Sequence, residues 1–117
     1  MDFSSDGGAS LHKGHRMGTY TRTSQVVKEC PVFKQEERVE NAEDDEQYYL
    51  FVGPDNCWRV GPDVTSYTGS VLKHPKKKTK SPPESGWFYY CDEKWREDAS
   101  LRATIDTKVR YSYLILV

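Results

Sequence analysis

Residues 47–63 read QYYLFVGPDNCWRVGPD. Successive side chains of a strand point to opposite faces. Tyr48, Leu50 and Val52 therefore share one face, and Tyr49 and Phe51 share the other. Both faces are apolar, which predicts a strand covered on both sides. The next four residues, Gly53 to Asn56, carry turn chemistry: proline presets φ, and Asp and Asn bond back to their own backbone. Trp58 and Val60 then return on one face, and a second Gly-Pro-Asp at Gly61 to Asp63 closes the return strand. This is the clearest hairpin in the chain.

Working outward, residues 86–98, GWFYYCDEKWRED, repeat the theme of aromatic run, polar turn and Trp-Arg. Trp58-Arg59 and Trp95-Arg96 are expected at corresponding ends of two hairpins, an internal echo with different turn lengths. TYTRTSQVV at 19–27 has strand composition, and CPVF at 30–33 reads as a second strand in which Pro31 must sit at a start or an edge. A weak strand is expected around Val71 and Leu72. In LRATID, Leu101, Ala103 and Ile105 alternate with Arg102, Thr104 and Asp106, predicting inward and outward sets. KVRYSYLILV at 108–117 reads as a last strand, with Val109, Tyr111, Tyr113, Ile115 and Val117 on one face that must dock on the sheet. No segment has a convincing helical period. The expectation is an all-β domain over 19–117: a single small antiparallel meander curled into a partly open barrel or a sandwich. Residues 1–18 hold four glycines and three serines and are expected to be a flexible, disordered tail.

The chain is polar for a folded domain, with 36% hydrophobic and 30% charged residues. Eight tyrosines, four phenylalanines and three tryptophans restore the balance, since each can bury a large area. A net charge of −1 leaves no global field to steer a polyanion. No stretch is apolar enough to span a membrane, and the first residues lack the apolar run of a signal peptide, so a cytoplasmic or nuclear setting is expected. Three cysteines, Cys30, Cys57 and Cys91, are an odd number and point to a reducing compartment; whether Cys57 and Cys91 meet is left open.

Two charged stretches stand out. Residues 34–47 carry seven acidic residues with only Val39 and Ala42 for an apolar face, and are expected to be an acidic loop. Residues 73–86, KHPKKKTKSPPESG, place five lysines and a histidine within eight positions. Pro75, Pro82 and Pro83 are expected to hold this stretch extended and out of the sheet, as a stiff connection. Lys76, Lys77, Lys78 and Lys80 could contact an anionic partner, or serve as a nuclear import signal. Anion contact requires the acidic loop to be far away; two adjacent loops would neutralise each other.

No catalytic constellation is visible. His12 and His15 lie in the expected tail and His74 in the basic stretch, so no rigid base is placed beside a nucleophile. Cys57 and Cys91 adjoin aromatic strands, where an inert thiol is expected. The pair His12 and His15 has no cysteine or carboxylate cluster near it, the acidic run lacks the central glycine of a calcium loop, and no cofactor cradle is present. Neither a metal site nor a cofactor is expected. The aromatics either form the core or partly line an open face. Trp87, Tyr89 and Trp95, with the four lysines, are the candidate binding residues.

The order of landmarks from Gly18 to Ile105 resembles a small eukaryotic all-β repeat scattered through multidomain proteins. The matching elements are Gly18 and Tyr20, PVFK at Pro31 to Lys34, YYLF at Tyr48 to Phe51, WRVG at Trp58 to Gly61, then Trp87, Trp95, Asp98, Leu101 and Ile105. The chain departs from the pattern where KEC replaces the usual Asn-Gly before Pro-Val, and in its long acidic insertion. The resemblance implies a non-catalytic β module and supplies no binding residues. The expected function is a non-enzymatic binding or interaction module for a protein or peptide. A nucleic-acid-binding barrel using the basic stretch and its neighbouring aromatics is the alternative, and a carbohydrate-binding module a weaker one.

Overall fold

A computed structural model describes residues 1–13, 16–36, 47–77 and 79–104. Among them the chain forms nine strands and one short helix: β1 Asp2–Ser4, α1 Gly8–Lys13, β2 Gly18–Val27, β3 Cys30–Gln35, β4 Tyr49–Val52, β5 Cys57–Gly61, β6 Leu72–Lys77, β7 Phe88–Cys91, β8 Lys94–Glu97 and β9 Arg102–Thr104. All pairings are antiparallel, in the order β8-β7-β6-β5-β4-β3-β2-β1-β9. The expected all-β meander is therefore present. β8 and β9 lie at opposite edges of the sheet, yet only residues 98–101 separate them in sequence. Four residues cannot cross a flat nine-stranded sheet, whose strands are about 4.8 Å apart. The sheet must curl until its edges approach, which makes it a half-barrel.

Alternation selects what the curl encloses. Tyr20, Phe33, Leu50, Trp58, Val60, Leu72 and Trp87 are fully buried in one core. Within LRATID, Leu101 and Ala103 are buried and Thr104 is exposed, as alternation requires. Ile105 and Asp106, like the expected strand at 108–117, fall outside the described residues.

The expected tail is a correction. Phe3 pairs with Gly18 on one side and Ala103 on the other, and its ring is 1% exposed. It stands edge-on to Tyr20 at 5.6 Å and to Trp87 at 4.9 Å, joining two walls of the half-barrel. A segment rich in Gly and Ser can be ordered when one large side chain is buried this way, because a buried phenylalanine is worth roughly 2–3 kcal/mol. Two of its glycines are also needed for contact. A Cβ on Gly8 would lie 2.0 Å from the Tyr89 hydroxyl, and one on Gly7 would lie 2.8 Å from Asp98.

Asp98 fastens this segment to the link between the sheet edges. It is only 6% exposed. Its Oδ2 accepts hydrogen bonds from the Ser5 hydroxyl and, at 3.0 Å, the Ala9 amide; its Oδ1 accepts from the Ser100 amide at 2.9 Å and hydroxyl at 2.7 Å. Burial alone would raise its pKa, but these four donors outweigh that and hold the carboxyl at about 2.

Two hairpins are turned by residues that rarely adopt left-handed backbone. Lys28 and Glu29 have φ of 52° and 66° between the paired Val27 and Cys30, and Asp92 and Glu93 have 52° and 64° between Cys91 and Lys94. Two successive positive φ values are the type I′ turn, for which Asn-Gly is the favoured pair. The KEC departure thus falls on positions where Asn and Gly fit best.

Two outcomes follow from this geometry. Glu29→Gly should raise stability by about 0.5–1 kcal/mol in urea titration, since glycine relieves the left-handed strain. Asp98→Asn should cost about 2–3 kcal/mol, because an amide NH2 then faces two donors that the carboxylate accepted. The pH dependence has a definite sign. The Asp98 carboxyl titrates near 3.8 when unfolded and about 2 when folded, so its contribution is present above pH 3.8 and lost as pH falls through 2. At about 1.4 kcal/mol per unit this is roughly 2 kcal/mol, and the Asp98→Asn substitution should flatten that part of the acid-unfolding curve.

Candidate functional site

The outer side of the sheet is built from side chains opposite in phase to the core. Across β4 and β5, Phe51 pairs with Arg59; across β5 and β6, Arg59 pairs with Lys73; across β7 and β8, Tyr90 pairs with Trp95. The strands thus carry Lys73, Tyr90 and Trp95 onto one outer side, over Arg59, which is only 5% exposed. The Arg59 guanidinium grips Asp55 from both sides, Nη2 to Oδ2 at 2.6 Å and Nε to Oδ1 at 3.2 Å. Its Cζ lies 5.1 Å from the Tyr67 ring centre and 5.8 Å from that of Trp95. Lys73 Nζ lies 5.8 Å from the same Trp95 ring and 3.9 Å from Asp55 Oδ2. Tyr90 and Trp95 meet at 5.2 Å with 63° between their planes.

Each cation therefore has a ring on one side and a carboxylate on the other. The hydrogen bond from Arg59, against the opposing effect of burial, holds Asp55 at about 2, so this carboxylate stays charged through the neutral range. Gly53 leaves room for it, since a Cβ there would lie 2.8 Å from Arg59 Cδ. Tyr67 is 57% exposed and Tyr90 36%, while Trp95 is half-buried. This is the open aromatic surface of the described residues.

The three tryptophans divide sharply. Trp58 and Trp87 are both 0% exposed. Trp58 Nε1 donates to Thr79 O at 3.1 Å, and Trp87 Nε1 donates to Pro83 O at 2.7 Å. Trp58 and Trp95 each hold the second position of the return strand of a hairpin, yet they face opposite ways: Trp58 pairs with the core residue Val52, and Trp95 with the outward Tyr90. Trp87 and Tyr89, expected as surface stacking groups, are buried in the core. Trp95 remains at the surface. Tyr90 belongs to the aromatic excess legible in the sequence, whereas Arg59, Lys73 and Tyr67 were not singled out as binding residues by their types; the register that unites them was the missing signal.

The basic stretch is also corrected. Leu72–Lys77 is strand β6 rather than a connection outside the sheet. β6 pairs with β7 only at Leu72 and Lys73, so beyond them it has one paired neighbour, and Pro75 is tolerated as at an edge. His74 is buried: its Nδ1 accepts from the Lys76 amide at 3.1 Å, and its Nε2 donates to Ser85 O at 2.8 Å. Burial lowers its pKa, which leaves a neutral ring with both nitrogens engaged. Lys76, Lys77 and Lys80 are exposed, and Lys77 Nζ donates to Asp55 O at 3.0 Å. Lys78, His15 and residues 37–46 of the acidic run lie outside the described residues.

The flanks of that run are nevertheless placed. Cys30, at the start of β3, approaches Thr79, with Sγ 3.6 Å from its carbonyl oxygen. Glu36 follows the other end of β3, about 17 Å along a six-residue strand. The lysines and the entry to the acidic run therefore sit at opposite ends of the half-barrel.

Cys30, Cys57 and Cys91 are all free thiols. Cys57 is buried, and burial pushes its thiol up, away from the reactive thiolate. Among the described residues no group of three His, Cys, Asp or Glu is placed to hold a metal ion. An open polar groove of about 530 Å³ runs beside Thr21, Thr23, Lys34 and Gln47. No family model matches the chain, and neither a curated protein nor a solved structure matches it significantly.

Acrylamide should quench the emission of Trp95 and leave Trp58 and Trp87 shielded. Trp95→Phe should then abolish the quenchable component; equal quenching of all three would contradict this division of the tryptophans.

Proposed function

We propose that the chain is a non-enzymatic interaction module that takes a protein or peptide partner on its outer sheet face around Trp95. One observation carries this reading: of the three tryptophans only Trp95 reaches the surface, and it does so beside Tyr90, Arg59 and Lys73. Trp, Tyr and Arg are the side chains that dominate binding energy at protein interfaces. Here Arg59 is buried, held by Asp55 and covered by Tyr67, and it supports the Trp95 ring from beneath, so that ring has little conformational freedom to lose on association. The resemblance to a non-catalytic repeat supports the same reading. So does His74, whose two ring nitrogens are already engaged and which therefore has no lone pair for general base work.

The alternatives draw less support. A nucleic-acid barrel needs rings beside the lysines, and Trp87 and Tyr89 are core residues. A flat sugar platform is not what Tyr90 and Trp95 make, since their planes are 63° apart.

Peptides selected from a displayed random library against the folded chain provide the test. Trp95→Ala should weaken their binding about 30-fold, the effect of a 2 kcal/mol hot spot, while leaving the thermal midpoint within about 2 °C, as for a surface change. Peptides that bind this variant and the parent chain equally would remove the outer face as the site. Turnover of a substrate, lost on mutating one residue, would remove the non-enzymatic reading.

A further inference from the structure

The two ends of the half-barrel carry opposite charge. At one end lie the Lys28–Glu29 turn, the 53–56 turn and the exposed Lys76, Lys77 and Lys80. Register places them together: Cys57 pairs with Lys77, and Thr79 is reached by both Cys30 and Trp58. The acid at this end that is fixed by contacts, Asp55, is already occupied by Arg59 and Lys73. At the other end lie Glu36, the 62–70 loop with Asp63, and the turn with Asp92 and Glu93, all four acids exposed. Register also groups these: Tyr49 pairs with Gly61, Val71 donates to Val60 O, and Tyr90 donates to Val71 O. Lys34, Lys94 and Arg96 are exposed cations on the strands that lead to this end, and Arg96 Nε donates to Cys91 O at 3.3 Å, beside Asp92. Among the described residues the first end thus carries a clear excess of cations, Lys28, Lys76, Lys77 and Lys80 against Glu29, and the second a slight excess of acids.

We infer that the chain associates head to tail with a second copy of itself, the lysine end of one copy against the acidic end of the next. Charge complementarity selects this occupant. The lysine end offers point charges without an exposed aromatic ring among its described residues, so it suits carboxylates better than bases, which require stacking. The matching carboxylates are present in the same chain, on the end where they cannot reach their own lysines. An interface between two different surfaces of identical chains does not close on itself, so it builds open chains or rings rather than a symmetric dimer. Its acidic end, the Asp92–Glu93 turn, is separated from Tyr90 and Trp95 by the Cys91–Lys94 pair alone, so the Trp95→Ala variant is what distinguishes this contact from the preceding proposal.

Sedimentation of the full chain tests it. At about 0.01 M salt, where charges act over about 30 Å, the average mass should rise with protein concentration; at about 1 M, where they act over about 3 Å, it should fall to the monomer. The triple variant Lys76→Glu, Lys77→Glu, Lys80→Glu should remain monomeric at low salt. The triple variant Glu36→Lys, Asp92→Lys, Glu93→Lys should do the same. Mixed in equal amounts, the two should co-assemble in a one-to-one ratio, because the acidic end kept by one meets the lysine end kept by the other and the two reversed ends are complementary as well. Trp95→Ala should associate as the parent chain does, and circular dichroism should show that each variant is folded. A parent chain that stays monomeric at low salt overturns the proposal. So does association indifferent to both triple variants, or a mixture that forms no complex. A monomeric chain that instead binds a single-stranded oligonucleotide through the same lysines assigns that end to nucleic acid and overturns the self-association.

Discussion

The half-barrel depends on how its two edges are held together, and a buried carboxylate stands at that junction. Asp98 lies at the exit of β8 and binds Ser5 and Ala9 from the N-terminal segment and Ser100 from the link to β9. It acts beside the backbone pairing of β9 with β1 and the burial of Phe3, Leu101 and Ala103. Because a buried carboxylate is costly unless its lone pairs are filled, the four donors and the charge define one another. The neighbouring His74 responds to acid earlier. Burial keeps its folded form neutral, so as pH falls below 6.5 the unfolded chain takes up a proton that the folded chain does not, and stability declines.

The curl gives the sheet two unlike sides. Inside, rings meet edge to face in a closed core: Phe3 against Trp87, and Trp87 against His74 at 5.5 Å. Outside, rings meet cations, and the whole arrangement is anchored on Asp55. Most of the landmarks read from the sequence belong to the inner side or to the backbone. Tyr20, Phe33, Leu50, Trp58, Val60, Trp87 and Leu101 are core, and Gly18 has a φ of 99°. These residues decide how the chain folds.

Much of the fold was legible because strand alternation is a local property. The hairpin of β4 and β5, the strand character of β2 and β3 and the alternation in LRATID could all be read from neighbouring residue types. The N-terminal strand could not. Asp2–Ser4 is too short to show a period, and its burial depends on Phe3 meeting rings far along the chain. The basic stretch misled for a related reason. Charge and proline argue against a central strand, but β6 beyond Lys73 is paired on one side only, where both are tolerated. The candidate site was legible in one residue, Trp95. Its companions Arg59, Lys73, Tyr67 and Tyr90 come from four separate segments, and no spacing in the sequence connects them.

By itself the sequence determined the class of fold, the hairpin at its centre and the supply of aromatic rings, since these follow from side-chain size and a two-residue period. Only the tertiary structure decided which rings are core and which are surface, and where the charges lie. Those properties depend on register: a shift of one residue moves a side chain to the other face of a sheet. Trp58 and Trp95 have the same neighbour in sequence and opposite fates in space, because one is paired across the sheet with Val52 and the other with Tyr90.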